Sequence, residues 1–359
     1  TPSISPFQID LFANSIAKSP AYSNLLALYD QVPHYVAVKA SKSLEIAQKH
    51  FTVASVPWIL ETTPALVQLN KKDPELSSIF PGRREELVMA GIMKLAGENP
   101  VMTGRILGVH FYLRELQRTI SVKNRTRISV NDIKLSLNIL RNSSYSLKGF
   151  SDRGEKQHQE YSHISELITK ADADYDDDRY CVILNSFLTN QILELQNRLY
   201  NFERYKLFNS TLSRPLYVKL CLRFTQAAED ETYTIKISTL RNIGGLKYVE
   251  TMPINKRRMP VINAFDELIK YGVLKSYRLT KSIKKRVDGK RKLSTIDEEY
   301  VLTADTVFIA EQKKASAIKN EASLKLQIAQ GIRGELSDSQ RENILEHTVD
   351  QSTQFLSGS

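Results

Sequence analysis

Residues 281–292 read KSIKKRVDGKRK, with seven basic side chains and one acid in twelve positions. The basic set is Lys281, Lys284, Lys285, Arg286, Lys290, Arg291 and Lys292. The flanking stretches VLKSYRL and EEYVLTADTVFI read as β-strands, so the run sits at the tip of a hairpin. Such a tip repels itself unless something anionic lies against it; the competing reading is a solvated loop that only aids solubility. A second basic group, Lys256-Arg257-Arg258, opens the helical pattern NKRRMPVINAFDELIKYG, with Asn263 on its exposed side. Arginine pairs bidentately with guanine and asparagine with adenine, and both cationic types also bind phosphate. Phosphate contact, base readout and no contact with DNA are all open for Arg257 and Arg258. Asn263 either reads adenine or is simply solvated.

Bond-making chemistry finds less support. His158 and His163 are five residues apart, which is not one helix face, and no cysteine lies near them to complete a zinc site. The acidic cluster DADYDDD at 172–178 reads as a solvated loop rather than a cation site. No phosphate-binding GxxxxGK[ST] motif occurs, and IGGLKY at 243–248 lacks its spacing. The sixteen tyrosines invite phosphodiester nicking, but that chemistry needs clustered metal ligands, which the sequence does not offer. No enzymatic activity, metal or cofactor is expected.

The 359 residues exceed one small core, and an apolar fraction of 42% suits a folded, soluble chain. The sequence has no membrane-spanning run, and its first residues, TPSISPFQIDLFANS, lack a signal-peptide pattern. Cys181 and Cys221 lie in apolar surroundings, which predicts buried thiols and a cytoplasmic location. The net charge is +10, and residues 203–313 supply nearly all of it, with 22 Lys/Arg against 13 Asp/Glu. Nucleic acid and anionic membrane are the candidate partners. A membrane helix would align its cations beside large apolar residues; here the densest charge is on a glycine-containing hairpin tip, which favours nucleic acid.

The elements that must position these groups recur in two halves. In the second, STLSRPLYVKLCLRFTQA predicts a helix capped at Ser213, with Pro215 in its first turn and Leu216, Leu220 and Phe224 inward. A strand at YTIKIS and a helix at STLRNIGG follow. Next comes the basic helix, whose start Pro260 confines to about 257–259, with Val261, Phe265, Leu268 and Ile269 inward and a stop at Gly272. The hairpin completes the order of a winged helix-turn-helix. The first half repeats it with helices in FPGRREELVMAGIMKLAGEN and HFYLRELQRT, then one capped at Ser129 or Asn131 with Ile133, Leu137 and Leu140 inward. Strands SYSLKGF and RYCVILNSFL come next, separated by a polar insertion at 151–179, and TNQILELQNRLYNFERY reads as a linking helix.

The reading is therefore α+β, mainly helical, with two tandem winged helix-turn-helix domains and extra N- and C-terminal segments. An N-terminal extension covers 1–75, the first domain 76–200, the second 201–313, and a polar helical or flexible tail 314–359. In the second domain the third helix enters the major groove and the basic hairpin lies over the flanking backbone as a wing. In the first, Lys123, Arg125 and Arg127 in the turn, with Lys134 and Arg141 on the third helix, either touch DNA or leave that surface for self-association.

FPGRREELVMAGIMKLA, ISVNDIKLSLNILRNSSYSL, LYNFERYKLFNSTLSRPLYVKLCLRFTQA, YTIKISTLRNIGGL and INAFDELIKYGVLKSY together resemble replication initiators of iteron-bearing bacterial plasmids. The resemblance runs from about Phe80 to Lys313. It implies binding of double-stranded origin repeats, help in opening an AT-rich element, and recruitment of host replication proteins such as helicase or initiator. It also implies autorepression and monomer–dimer exchange through the first domain. The alternatives are a transcriptional repressor of the same architecture or, from another class, a nicking initiator or recombinase.

Overall fold

A computed structural model describes residues 21–330, apart from 36–44, 54–55, 70–75, 104–105, 124, 126, 151–155, 171–178, 194–195, 225–231, 245–251 and 287–292. The acidic cluster at 172–178, Lys290, Arg291, Lys292 and the end of the tail lie outside the described residues. Helix and sheet occur in comparable amounts, so the chain is a mixed helix-and-sheet protein and not a mainly helical one. Among the described residues no helix is long and apolar enough to cross a membrane.

The first half begins with β1 (Tyr22–Leu26), β2 (Ala47–Val53), β3 (Val56–Thr63), β4 (Ala65–Val67) and β5 (Ser77–Ile79). Helix α1 (Arg83–Glu98) follows and buries Leu87, Ile92 and Leu95, the stripe its spacing predicts. Next are β6 (Pro100–Thr103), β7 (Ile106–Tyr112), α2 (Leu113–Ile120) and α3 (Val130–Asn142). Ser129 caps α3, its hydroxyl accepting from the Asp132 amide at 3.0 Å, and Ile133, Leu137 and Leu140 face the core. Strands β8 (Ser144–Phe150), β9 (Lys156–Tyr161), β10 (Ile164–Lys170) and β11 (Arg179–Leu184) lead to α4 (Ser186–Leu193), β12 (Asn197–Asn201) and α5 (Phe202–Leu207).

Three expectations fail here. HFYLRELQRT is not one helix: His110–Tyr112 end β7, whose buried Leu107, Val109 and Phe111 alternate as a strand requires. The 151–179 stretch is not a bare insertion, since it contains β9 and β10. TNQILELQNRLYNFERY is not one helix either, because Asn197–Asn201 pair with Tyr22–Leu26 as a two-stranded antiparallel sheet. Strand pairing explains the first two results. One antiparallel sheet runs β2-β3-β8-β9 and another β10-β11-β7-β6, so the two strands flanking the polar stretch belong to different sheets. Through β1, β2 and β3, the described part of residues 1–75 is woven into the first half.

Both predicted thiols are free and buried. His34 and His163 are buried among Tyr29, Tyr145 of β8 and Tyr161 of β9. His34 Nε2 and the Tyr161 hydroxyl are 2.8 Å apart, and the Tyr29 hydroxyl bonds His163 Nδ1. Burial lowers both imidazoles below their usual range, His163 to about 3. Among the described residues no cluster of His, Cys, Asp or Glu has the makings of a metal site.

The second half runs α6 (Ser213–Arg223), β13 (Thr232–Lys236), α7 (Ile237–Ile243), α8 (Ile254–Lys270), β14 (Leu274–Arg286) and β15 (Leu293–Ala304), then α9 (Thr306–Gln330). Its sheet order is β13-β15-β14. Leu216 and Leu220 of α6, and Phe224 at its C-cap, meet Val261, Phe265 and Leu268 of α8 in a core continuous with that of the first half. Ser213 is the first residue of α6 rather than its cap, which is Leu212. Ile269, expected inward, is 37% exposed.

Candidate nucleic-acid interface

Helix α8 begins at Ile254, earlier than Pro260 suggests. An interior proline lacks an amide and crowds the carbonyl four residues back, so the turn before it forms only where other bonds hold it. Here the Lys256 and Arg257 amides donate to Pro253 O at 3.0 and 3.3 Å, and the Arg257 side chain fastens the turn to the sheet. At the far end Gly272 takes φ +64°, with its amide bonded to Ile269 O and the Val273 amide to Leu268 O. This left-handed closure turns the chain directly into β14.

Arg257 occupies a different place from the one expected of a base reader. It is 1% exposed, and its guanidinium donates to Met252 O at 2.9 Å, Thr295 O at 3.2 Å and Ile296 O. Ile283 pairs with Asp297 and Lys284 with Thr295, so Ile296 is the extra residue of a β-bulge. A bulge leaves ladder carbonyls free, and Arg257 takes them up. The sequence held the signal: Arg257, Val261, Phe265 and Leu268 share one stripe at i, i+4, i+8 and i+11, so periodicity alone turns Arg257 inward.

Arg258 lies beside the same strand. Its Nε donates to Glu298 Oε2 at 2.8 Å and its Nη2 pairs with Oε1, a bidentate fork on a carboxylate that is 1% exposed. The Glu298 carboxylate holds the guanidinium above its usual range. Burial and the same carboxylate push Tyr300 up to about 12. Asp297, the neighbouring acid, accepts from the Ser238 hydroxyl at 2.6 Å and the Ser238 amide at 3.2 Å, capping α7 from another strand. Asp297 and Glu298 escaped the sequence reading. Adjacent acids inside an otherwise strand-like run, IDEEYVL, are the signal that marks them. Three successive β15 positions thus hold α7 and α8 against the hairpin: Ile296, Asp297 and Glu298.

Beyond Glu299, the last residue of β15 paired with β13, the hairpin continues among the described residues as two strands alone, from Ser282↔Glu298 to Arg286↔Leu293. That arm extends about 17 Å at ~3.4 Å per residue. Lys281, Lys284 and Lys285 are exposed on β14, the edge strand, and Arg286 ends it. Lys236, Glu299 and Lys281 form one cross-strand row, so a single acid faces two of the cations. On α8, Lys256 and Asn263 are exposed. Lys256 sits in the first turn, where the helix dipole is positive, so the end has an excess of positive potential and favours an anion.

In the first half, Lys123, Arg127 and Arg141 are exposed and Lys134 is half-buried. Arg125 is occupied within the protein, donating to Asn209 Oδ1 at 2.9 Å and to the Tyr271 hydroxyl at 3.0 Å.

No family model and no curated protein matches the sequence. Among solved structures, the chain is similar to domains 2 and 3 of RctB. The TM-score is 0.47 at 10% identity over 77% of this chain and 98% of that one, or 0.45 at 12% over 80% and 99% for a second structure. It is also similar to the Pi initiator protein in complex with iteron DNA, with a TM-score of 0.34 and 12% identity over 61% of this chain and 91% of that one.

Proposed function

We propose that the chain is a sequence-specific, duplex-DNA-binding replication initiator built from two tandem winged-helix domains, acting by binding and not by making or breaking bonds. The observation that carries this reading is the basic two-stranded arm fixed to the first turn of α8 by Arg257 and Arg258. The order α6, β13, α7, α8, β14, β15 with sheet order β13-β15-β14 supports a winged helix in the second half. Helix α8 enters the major groove with Lys256 at a phosphate and Asn263 at an adenine edge. The arm lies along the flanking backbone, where Lys281, Lys284 and Lys285 displace counterions, and the rest of the basic run in the sequence, Arg286, Lys290, Arg291 and Lys292, adds to the same charge. In the first half, α3 offers Lys134 and Arg141 to DNA, with Lys123 and Arg127 beside it. The resemblance of the sequence to plasmid initiators supports origin repeats as the target, with self-association, autorepression and recruitment of host replication proteins as accompanying activities.

The test has two stages. Selection from random duplexes yields a preferred sequence, bound far more tightly than its scrambled control across a salt titration. A DNA segment carrying repeats of that sequence then replicates autonomously only when this chain is supplied. Specific binding without replication would leave a repressor, and cleavage of DNA with Mg²⁺ would overturn the non-enzymatic reading.

A further inference from the structure

The charge of the interface leaves one side chain on α8 unexplained. At 100° per residue, Met259 lies about 200° around the helix from Arg257, opposite the buried stripe. It is 57% exposed, with exposed Lys256 one turn before it and exposed Asn263 one turn after. Single exposed apolar residues are ordinary on protein surfaces. What sets this one apart is its place at the centre of the face that α8 turns outward, between a cation and an amide suited to phosphate and adenine. In the major groove the edges of the base pairs are polar except for the C5-methyl of thymine. An unbranched thioether with three rotatable bonds adapts to such a target without requiring a fixed geometry.

We infer that Met259 is a specificity-determining residue that packs on a thymine methyl group, one turn from the adenine read by Asn263. This rests on the role proposed above for α8. Four residues of helix rise about 6 Å, so the two contacts fall within about two base-pair steps of ~3.4 Å. The preferred sequence therefore contains a thymine close to the Asn263 adenine.

The experiment uses the full chain and the duplex it selects. Each thymine is replaced in turn by uracil, which lacks only the methyl group, and Kd is measured for the wild type, Met259→Ala and Met259→Gln. At one or two positions uracil weakens the wild type about fourfold, the ~0.8 kcal/mol of a methyl-sized apolar group. Both variants lose that sensitivity while keeping the wild-type salt slope, denaturation midpoint and circular dichroism, because the residue is exposed. Tolerance of uracil at every position by the wild type would overturn the inference, as would an equal penalty in the variants. Failure to select any preferred sequence would overturn the reading of α8 itself, so the two failures are distinguishable.

Discussion

Replacing Arg257 by Ala tests whether this side chain reads DNA or builds the reader. The guanidinium is 1% exposed and bonds three backbone carbonyls, Met252, Thr295 and Ile296. Hydrogen bonds from a charged donor contribute about 1.5–3 kcal/mol each, and the carbonyls left behind keep their desolvation penalty. These terms overlap, so they do not sum. A loss of about 3–5 kcal/mol of folding stability is expected, similar to breaking a buried ionic contact by removing one partner. Arg257→Lys retains the charge, but a single ammonium cannot span carbonyls on both sides of the helix start, and it recovers only part of the loss.

Equilibrium urea denaturation at neutral pH measures both variants. Binding is compared on the selected duplex and its scrambled control after correction for the folded fraction. A positioning role predicts weakened binding to both duplexes, because the arm loses its fixed angle to α8. If Arg257→Ala stayed within about 0.5 kcal/mol of the wild type, the level of an ordinary surface substitution, and selectively abolished sequence preference, the guanidinium would have to leave its carbonyls for a base. The reasoning would then be refuted.

Replacing Lys281, Lys284 and Lys285 together by Gln should leave stability nearly unchanged. It should lower the slope of log K against log salt by up to ~2.7, three phosphate contacts at about 0.9 each, equally for selected and scrambled DNA; an unchanged slope would detach the arm from DNA. Asp297→Ala removes the acceptor of the Ser238 amide and hydroxyl, and should cost about 1–2 kcal/mol in the same denaturation assay. For His163, burial sets the folded pKa at about 3 against an unfolded value near 6.5. The unfolded chain therefore binds the extra proton, and stability falls as pH drops below about 6.5. Between about pH 6 and 4 the wild type should lose stability faster than His163→Gln, by up to ~1.4 kcal/mol per pH unit, and parallel slopes would contradict the buried neutral imidazole.

The second half was legible because its signals are local. Gly272 stops α8 where the sequence says, and the apolar stripes of α6 and α8 meet as their spacing requires, Ile269 excepted. At Arg257, residue type and position point opposite ways. Three consecutive cations invite a surface reading, yet the second falls on the apolar stripe and its charge is met by carbonyls from a β-bulge that no local pattern announces. The first half was less legible because its strands pair across long separations. Strand β8 joins β3 rather than β11, and β12 joins β1, across more than 80 and 170 residues respectively. Cross-strand partners at that distance leave no trace in a periodicity, so β12 reads as a helix until Tyr22–Leu26 claims it.

The polar bonds between the halves bear on how two reading surfaces would act together. Arg125, in the turn before α3, is held by Tyr271 at the end of α8. Arg214 of α6 reaches Arg83 O at 3.1 Å and Glu86 at 3.4 Å on α1. Helix α9 leaves β15 and crosses to the first half, where Arg198 donates to Gln312 O at 2.8 Å and Arg204 pairs with Glu311. These joints surround a shared apolar core. A packed core resists continuous deformation, so the separation of α3 and α8 is set by the fold. Under the proposed reading that separation becomes part of specificity: the two helices meet DNA at a fixed spacing, and Arg125 contributes by fixing that spacing instead of by touching a phosphate.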